Sequence, residues 1–232
     1  MMVTHVPKLS RSTEDYLKAI YQLEASTGSA VTSAIAEALD IAPPSVTGMV
    51  KRLSESGLLE HTPYKGVQLT VAGRRAALRM VRRHRILETY LTTKLGYEWD
   101  SVHEEAERLE HAVSDELIER MAMALGNPRY DPHGAPIPTP GGEVETLEHV
   151  PLSELPVGAV AELRMVSDED AERLRFVGSL GLRPGVTFEV TARQPFRGPV
   201  SVRIGGHVPR DQVIGFELAQ ALYCVAVEKE AG

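Results

Sequence analysis

A single cysteine, Cys224, stands in the whole chain of 232 residues. That excludes a disulfide framework within one chain and fits a reducing compartment. Its apolar neighbours Ala221, Leu222, Tyr223 and Val225 assign it to a core. No apolar run approaches the roughly 18 residues that a membrane-spanning helix needs. The opening Met1-Met2-Val3-Thr4-His5 has no apolar signal core, so a cytoplasmic location is expected. Also missing are a nucleophile motif, a glycine-rich phosphate loop and a His-Glu-x-x-His run, which argues against an enzyme. No internal repeat is evident. What is present is enough apolar content, 43%, for one to three domains with real cores.

Positive charge is scarce overall, at a net −7, but it is unevenly spread. Residues 1–85 hold 12 Lys+Arg against 7 Asp+Glu, a net +5; residues 86–232 hold 13 against 25, a net −12. A basic first third and an acidic remainder suit a DNA-facing module joined to modules that bind something cationic.

The first third reads as a winged helix. An acidic helix start at Ser12-Thr13-Glu14-Asp15 leads into an apolar face of Tyr16, Leu17, Ile20, Tyr21 and Leu23. A second helix runs through Ile35, Ala36 and Leu39. A third begins at Pro44 or Ser45, carries Val46, Met49, Val50 and Leu53, and stops at Gly57. Leu58–Thr62 and Val67–Thr70 read as two strands around a wing tip that includes Tyr64 and Lys65. In such a unit the third helix enters the major groove. Pro44, Ser45 and Thr47 then face bases, while Lys51, Arg52 and the wing residue Lys65 face phosphates. Arg, Asn and Gln are absent from the first turn of that helix, so affinity is expected to lean on phosphates and DNA shape, with strong salt dependence. A winged helix that docks only to protein is the blander alternative.

Gly73 opens an Arg-rich helix to about Lys94, and a further helix is expected from about Ser101 to Leu125. On the latter, His103, Glu107, Glu110 and His111 stand at offsets of 0, 4, 7 and 8. At about 100° per residue they share an arc of roughly 100°. Two imidazoles and two carboxylates on one stripe form a ligand set for a divalent metal. His84 and Glu88, four apart on the preceding helix, add a second pair, and Asp15 a further carboxylate. Glu107, Glu110 and His111 group together, while His103 pairs with His84 and Glu88, so two sites are expected. A Pro/Gly-rich linker follows Asn127. Beyond it, strand patterns at Val160–Met165, Val186–Val190 and Val200–Ile204, with a helix over 171–180, predict a small β-barrel.

Several segments carry a family resemblance: Thr13-Glu14-Asp15-Tyr16-Leu17 with Ile20-Tyr21, Ile35-Ala36-Glu37, Pro44-Ser45-Val46-Thr47, Arg83-His84-Arg85-Ile86-Leu87-Glu88, His103 to His111, and Gly134-Ala135-Pro136-Ile137-Pro138. With these the chain resembles, over nearly its whole length, the iron- and manganese-dependent regulators of the diphtheria toxin repressor family. The resemblance implies a mainly α protein with a small β domain. Its parts are a winged-helix DNA-binding domain (1–73), a helical dimerisation and metal-binding domain (74–126), a linker (127–149) and an SH3-like barrel domain (150–232). It implies a homodimer on a pseudo-palindromic DNA operator, with Val102, Leu109, Val113, Leu117 and Met121 at the two-fold interface. It also implies repression of metal-ion uptake genes and two metal sites per subunit. The primary site comprises Asp15, Glu107, Glu110 and His111. The ancillary site comprises His84, Glu88 and His103 with third-domain carboxylates, foremost Asp170 and then Glu172, with Asp168 and Glu169 behind them.

Two departures bear on the metal. Iron-sensing members carry Met where this chain has Asp15 and Cys where it has Glu107. Hard oxygen ligands in place of sulfur point to Mn²⁺ rather than Fe²⁺. The two-domain manganese regulators carry a second Glu one turn after the Asp, where this chain has Lys18, which weighs against their closely spaced dinuclear site. The competing expectations are an iron-responsive repressor of the same family, a winged-helix regulator with an organic ligand, and a metalloenzyme.

Overall fold

The computed structural model describes residues 9–62, 66–146, 148–167, 170–206 and 208–227. Lys65 and Tyr64 at the wing, and Asp168 and Glu169, lie outside the described residues. The chain divides into two compact units. One is Met1–His84 with Pro138–Glu143, and the other is Arg85–Ile137 with Val144–Gly232.

In the first unit three helices and a hairpin enclose one core. Helix α1 (Arg11–Thr27) starts where Ser10 Oγ accepts from Thr13 N–H, and it ends at the left-handed Gly28. Helices α2 (Thr32–Ala38) and α3 (Pro43–Glu55) follow. Leu17, Ile20, Ile35, Val46, Met49 and Leu53 meet in the core. The hairpin of β1 (Leu59–Thr62) and β2 (Gly66–Leu69) pairs Leu59 with Leu69 and Thr62 with Gly66. Ala30 adds a bridge to Val67. Gly66, at φ +79°, is required there, because a Cβ would stand 2.3 Å from the Ala30 carbonyl oxygen. Glu24 ties the hairpin to the next helix by accepting from Leu69 N–H at 2.6 Å and pairing with Arg74 at 2.5 Å.

Helix α4 (Val71–Leu95) begins two residues before Gly73. Gly73 is therefore not a helix start. It is a contact point, since a Cβ would come 2.0 Å from the Leu58 carbonyl oxygen.

The second unit holds the remainder of α4, then α5 (Val102–Leu109) and α6 (Asp115–Ala124). The single helix expected over 101–125 is thus two. Ser114 is the cause: its Oγ accepts from Leu117 N–H, and Asp115 and Glu116 complete an acidic first turn. Ile86, Leu87, Ala106, Ile118, Ala122 and Ile137 form the helical core. Within the Pro/Gly-rich segment, residues 129–137 fold back as a hydrogen-bonded hairpin, with a Tyr130–Pro136 bridge and Ile137 N–H donating to Arg129 O.

The C-terminal part is a six-stranded antiparallel sheet: β3 (Val150–Pro151), β4 (Val160–Val166), β5 (Thr187–Arg193), β6 (Val200–Ile204), β7 (Arg210–Ile214) and β8 (Leu222–Ala226). Their order is β3-β8-β4-β5-β6-β7, with helices α7 (Ala171–Ser179) and α8 (Phe216–Gln220). No pairing between β3 and β7 closes the sheet among the described residues. The expected barrel is an open, SH3-like sheet. Burial alternates along β6, so Val200, Val202 and Ile204 enter the core with Leu163, Leu174 and Cys224. No described helix is long and apolar enough to cross a membrane.

Candidate metal centre and nucleic-acid interface

Helix α3 sorts its residues by face. Val46, Met49 and Leu53 anchor it in the core, which leaves Pro44, Ser45, Thr47, Lys51 and Arg52 exposed. Thr47 Oγ1 donates back to Pro43 O at 3.3 Å, a weak bond that a base or phosphate can replace. Lys51 lies 3.9 Å from Glu55, both well exposed, so its ammonium is held loosely. The exposed, acid-poor first turn of α3 is a surface that a DNA groove can accept.

Imidazoles and carboxylates converge in the second unit. Glu88 on α4 is fully buried. Its Oε1 lies 3.2 Å from Nδ1 of His103 on α5, and its Oε2 lies 3.7 Å from Nδ1 of His133. The pairing of His103 with Glu88 is the one the helical stripe predicts. His103 Nε2 also lies 3.8 Å from Glu107 Oε1. Glu110, fully buried, stands next to His111, with 3.6 Å between Oε1 and Nε2. Both follow the last turn of α5, where the chain keeps right-handed helical dihedrals at Glu110, so the break before α6 does not displace it from the stripe.

Two residues of this cluster escaped the sequence reading. Asp131 and His133 are buried, and their donor atoms, with one from Glu88, lie within 4.8 Å of one another. Asp131 Oδ1 accepts from the backbone N–H groups of His133 and Ala135 at 2.8 and 2.9 Å, which folds the loop tightly. Arg85 Nε stands 3.4 Å from the other oxygen. His133 Nε2 lies 2.6 Å from the carbonyl oxygen of Trp99. A carbonyl only accepts, so Nε2 carries a proton, and in the neutral ring Nδ1, turned to Glu88, presents the lone pair. That is how metal-ligating histidines are commonly fixed. The signal available in the sequence was Asp131-Pro132-His133-Gly134, two donors spaced by a turn inside a segment read as linker.

The loop is pressed onto the sheet. Val166 N–H donates to His133 O at 2.9 Å, and a Cβ on Gly134, at φ +90°, would stand 1.8 Å from Arg164 O. Trp99 enters the sheet's core, with the Arg183 guanidinium 4.4 Å from its ring centroid.

Asp15, half-buried on α1, and His84, buried on α4, belong to the first unit. His84 Nδ1 lies 3.2 Å from Lys18 Nζ. Asp170 is exposed and caps α7: its Oδ1 accepts from Glu172 and Arg173 N–H, and these backbone bonds hold its carboxyl below the usual carboxylate range. Glu172, in the same turn, is exposed. The donor set fits a divalent ion of hard preference: it offers oxygen and imidazole nitrogen, while the one cysteine is buried in the sheet core.

Three family models match successive parts of the chain. An iron-dependent repressor N-terminal DNA-binding domain covers residues 8–67, an iron-dependent repressor metal-binding and dimerisation domain covers 70–139, and a FeoA domain covers 150–225. The chain is similar to the iron-dependent repressor IdeR of Mycobacterium tuberculosis, at 33% identity over 96% of this chain and 99% of that one. It is similar to the diphtheria toxin repressor of Corynebacterium glutamicum, at 30% identity over 79% and 85%. Among solved structures, a manganese-dependent transcriptional repressor in complex with manganese superposes with a TM-score of 0.88 at 40% identity, covering 93% of this chain and all of that one.

Proposed function

The chain belongs to the iron-dependent repressor family of DNA-binding, metal-dependent regulators, and from that premise we propose that it is a manganese-dependent repressor of metal-ion uptake genes. The observation that carries the choice of metal is the donor set. Glu88, His103, Glu107, Glu110, His111, Asp131 and His133 offer oxygen and nitrogen only, and Asp15 adds another oxygen. Hard oxygen donors suit Mn²⁺, whereas sulfur ligands suit softer ions. The iron-responsive reading has the likeness to the iron-dependent repressor IdeR in its favour, but it lacks the sulfur ligands expected of iron sensors.

Asp15, Glu107, Glu110 and His111 would hold the primary ion. The ion supplies positive charge that lets several carboxylates share one place. With Asp15 on the DNA-binding unit and the other ligands on the dimerising unit, the ion favours one arrangement of the two. Two recognition helices of a homodimer would then match the half-sites of a pseudo-palindrome. In that complex Pro44, Ser45 and Thr47 meet base edges, and Lys51, Arg52 and Lys65 meet phosphates. Glu88 and His103, with His84, would hold the ancillary ion, and Asp131 and His133 join Glu88 as ligands there. Asp170 and Glu172 are the third-domain candidates, although the Asp170 carboxylate already serves as a helix cap.

The test is operator binding followed by fluorescence anisotropy with Mn²⁺, with Fe²⁺ under anaerobic conditions, and with chelator. Mn²⁺ is expected to raise DNA affinity by a factor of roughly 5–150, the usual range of allosteric coupling. Equal affinity with Mn²⁺ and with chelator ends the metal-switch reading. Asp15→Met combined with Glu107→Cys should move activation toward Fe²⁺. A double variant that keeps the manganese preference removes these residues from the primary site.

A further inference from the structure

Lys18 is 7% exposed, on the buried face of α1 beside Leu17 and Ile20. Burying an ammonium costs several kcal/mol before its partners are counted. A residue whose only task was to fill that space would be apolar. The function proposed above gives this charge no role, yet its surroundings do. Lys18 Nζ lies 3.2 Å from Nδ1 of His84, itself 4% exposed. An ammonium can only donate, so His84 Nδ1 accepts and the ring's proton sits on Nε2. Asp15 precedes Lys18 by three residues on the same helix, a spacing that puts both on one face.

A metal ion uses a deprotonated nitrogen. Ligation through Nε2 moves the ring proton to Nδ1. An Nδ1–H and an ammonium at 3.2 Å have no lone pair between them, so that contact is lost and the two positive groups repel. Ligation through Nδ1 needs the very lone pair that Lys18 occupies. By either nitrogen, the ammonium and the divalent ion compete for one imidazole.

We propose that Lys18 is a built-in competitor for the divalent ion at His84, and that it sets the ion concentration at which the protein loads. The proposal rests on the metal-regulator reading above and deepens it. It assigns Lys18 a part in sensitivity that does not require contact with the ion. A tethered cation holds the site ready without metal, keeps its histidine in one tautomer, and must be displaced before the ion is bound.

The experiment is calorimetric titration of the full-length protein with Mn²⁺ for the wild type, Lys18→Met, Lys18→Arg, His84→Gln and the Lys18→Met/His84→Gln double variant. Alongside it, ¹⁵N-edited NMR reads the histidine tautomers of the metal-free protein. Lys18→Met keeps the length of the side chain and removes the charge. It is expected to tighten ion binding about tenfold, the lower end of what neighbours of a metal ligand contribute. Lys18→Arg keeps a cation and should stay near the wild type. The gain should vanish when His84→Gln is added, and metal-free wild-type His84 should carry its proton on Nε2. A folded Lys18→Met protein with unchanged or weaker ion affinity overturns the proposal, as does a gain that survives the loss of His84 or a metal-free His84 protonated on Nδ1. A wild type that binds no divalent ion overturns the metal-regulator reading itself. Normal ion binding with an inert Lys18→Met overturns only the competitor.

Discussion

Cys224 illustrates how one residue's surroundings decide its chemistry. It is fully buried in the sheet core, and burial pushes its thiol up to about 12 from an ordinary 9.0. The thiolate is the reactive form, so the native protein is expected to resist a thiol-specific reagent at pH 8, where an unfolded chain reacts readily. Because the folded value lies above the unfolded one, folding favours the protonated thiol. That contribution is complete below pH 9 and is lost as pH rises from 9 toward 12. The check is the rate of thiol modification with and without denaturant across that range. Rapid modification of the native protein at pH 8 contradicts the burial. The same residue bears on metal choice, since a thiol held in the sheet core is not a ligand for an ion at Glu88 or Glu110.

At the scale of elements, what was legible depended on whether a signal was local. The core faces of α1 and α3 show in the spacing of Leu17 and Ile20, and of Val46, Met49 and Leu53, because a helix exposes its periodicity in sequence. The pairing of His103 with Glu88 followed from two helical stripes. The break between α5 and α6 was also local, in Ser114-Asp115-Glu116, but a continuous ligand stripe hid it. Glu110 stays helical past the end of α5, so the stripe reads the same whether one helix or two carry it. Asp131 and His133 were illegible for a different reason. Their position depends on a hairpin fixed by contacts to Ala135, Trp99 and β4, all distant or irregular in sequence. The break is itself testable. Ser114→Ala removes the side-chain acceptor at the start of α6 and is expected to cost about 1 kcal/mol. It should also speed amide exchange at Leu117, whose N–H loses its acceptor. A continuous helix through 101–125 would instead gain from alanine, and a stabilised variant would therefore contradict two helices.

For the whole molecule the governing fact is charge separation along the chain, +5 over residues 1–85 and −12 over the remainder. On the proposed reading, a divalent ion taken up by the acidic remainder would reduce its repulsion of DNA as well as fix geometry. Both effects make the ion and the DNA bind the same state better, and linkage then requires reciprocity. If Mn²⁺ tightens operator binding by a given factor, operator must tighten Mn²⁺ binding by that same factor. Four dissociation constants close the cycle: DNA with and without ion, and ion with and without DNA, at one salt concentration, because phosphate contacts make the DNA affinities fall steeply with salt. An ion that acted by joining subunits rather than by fixing the winged helix would also raise DNA affinity. In that case the factor would depend on protein concentration and shrink once the protein is fully dimeric. The expected result is a closed cycle at protein concentrations well above dimer dissociation, with the coupling factor independent of concentration. A factor that falls to one under those conditions moves the switch from the winged helix to the dimer interface.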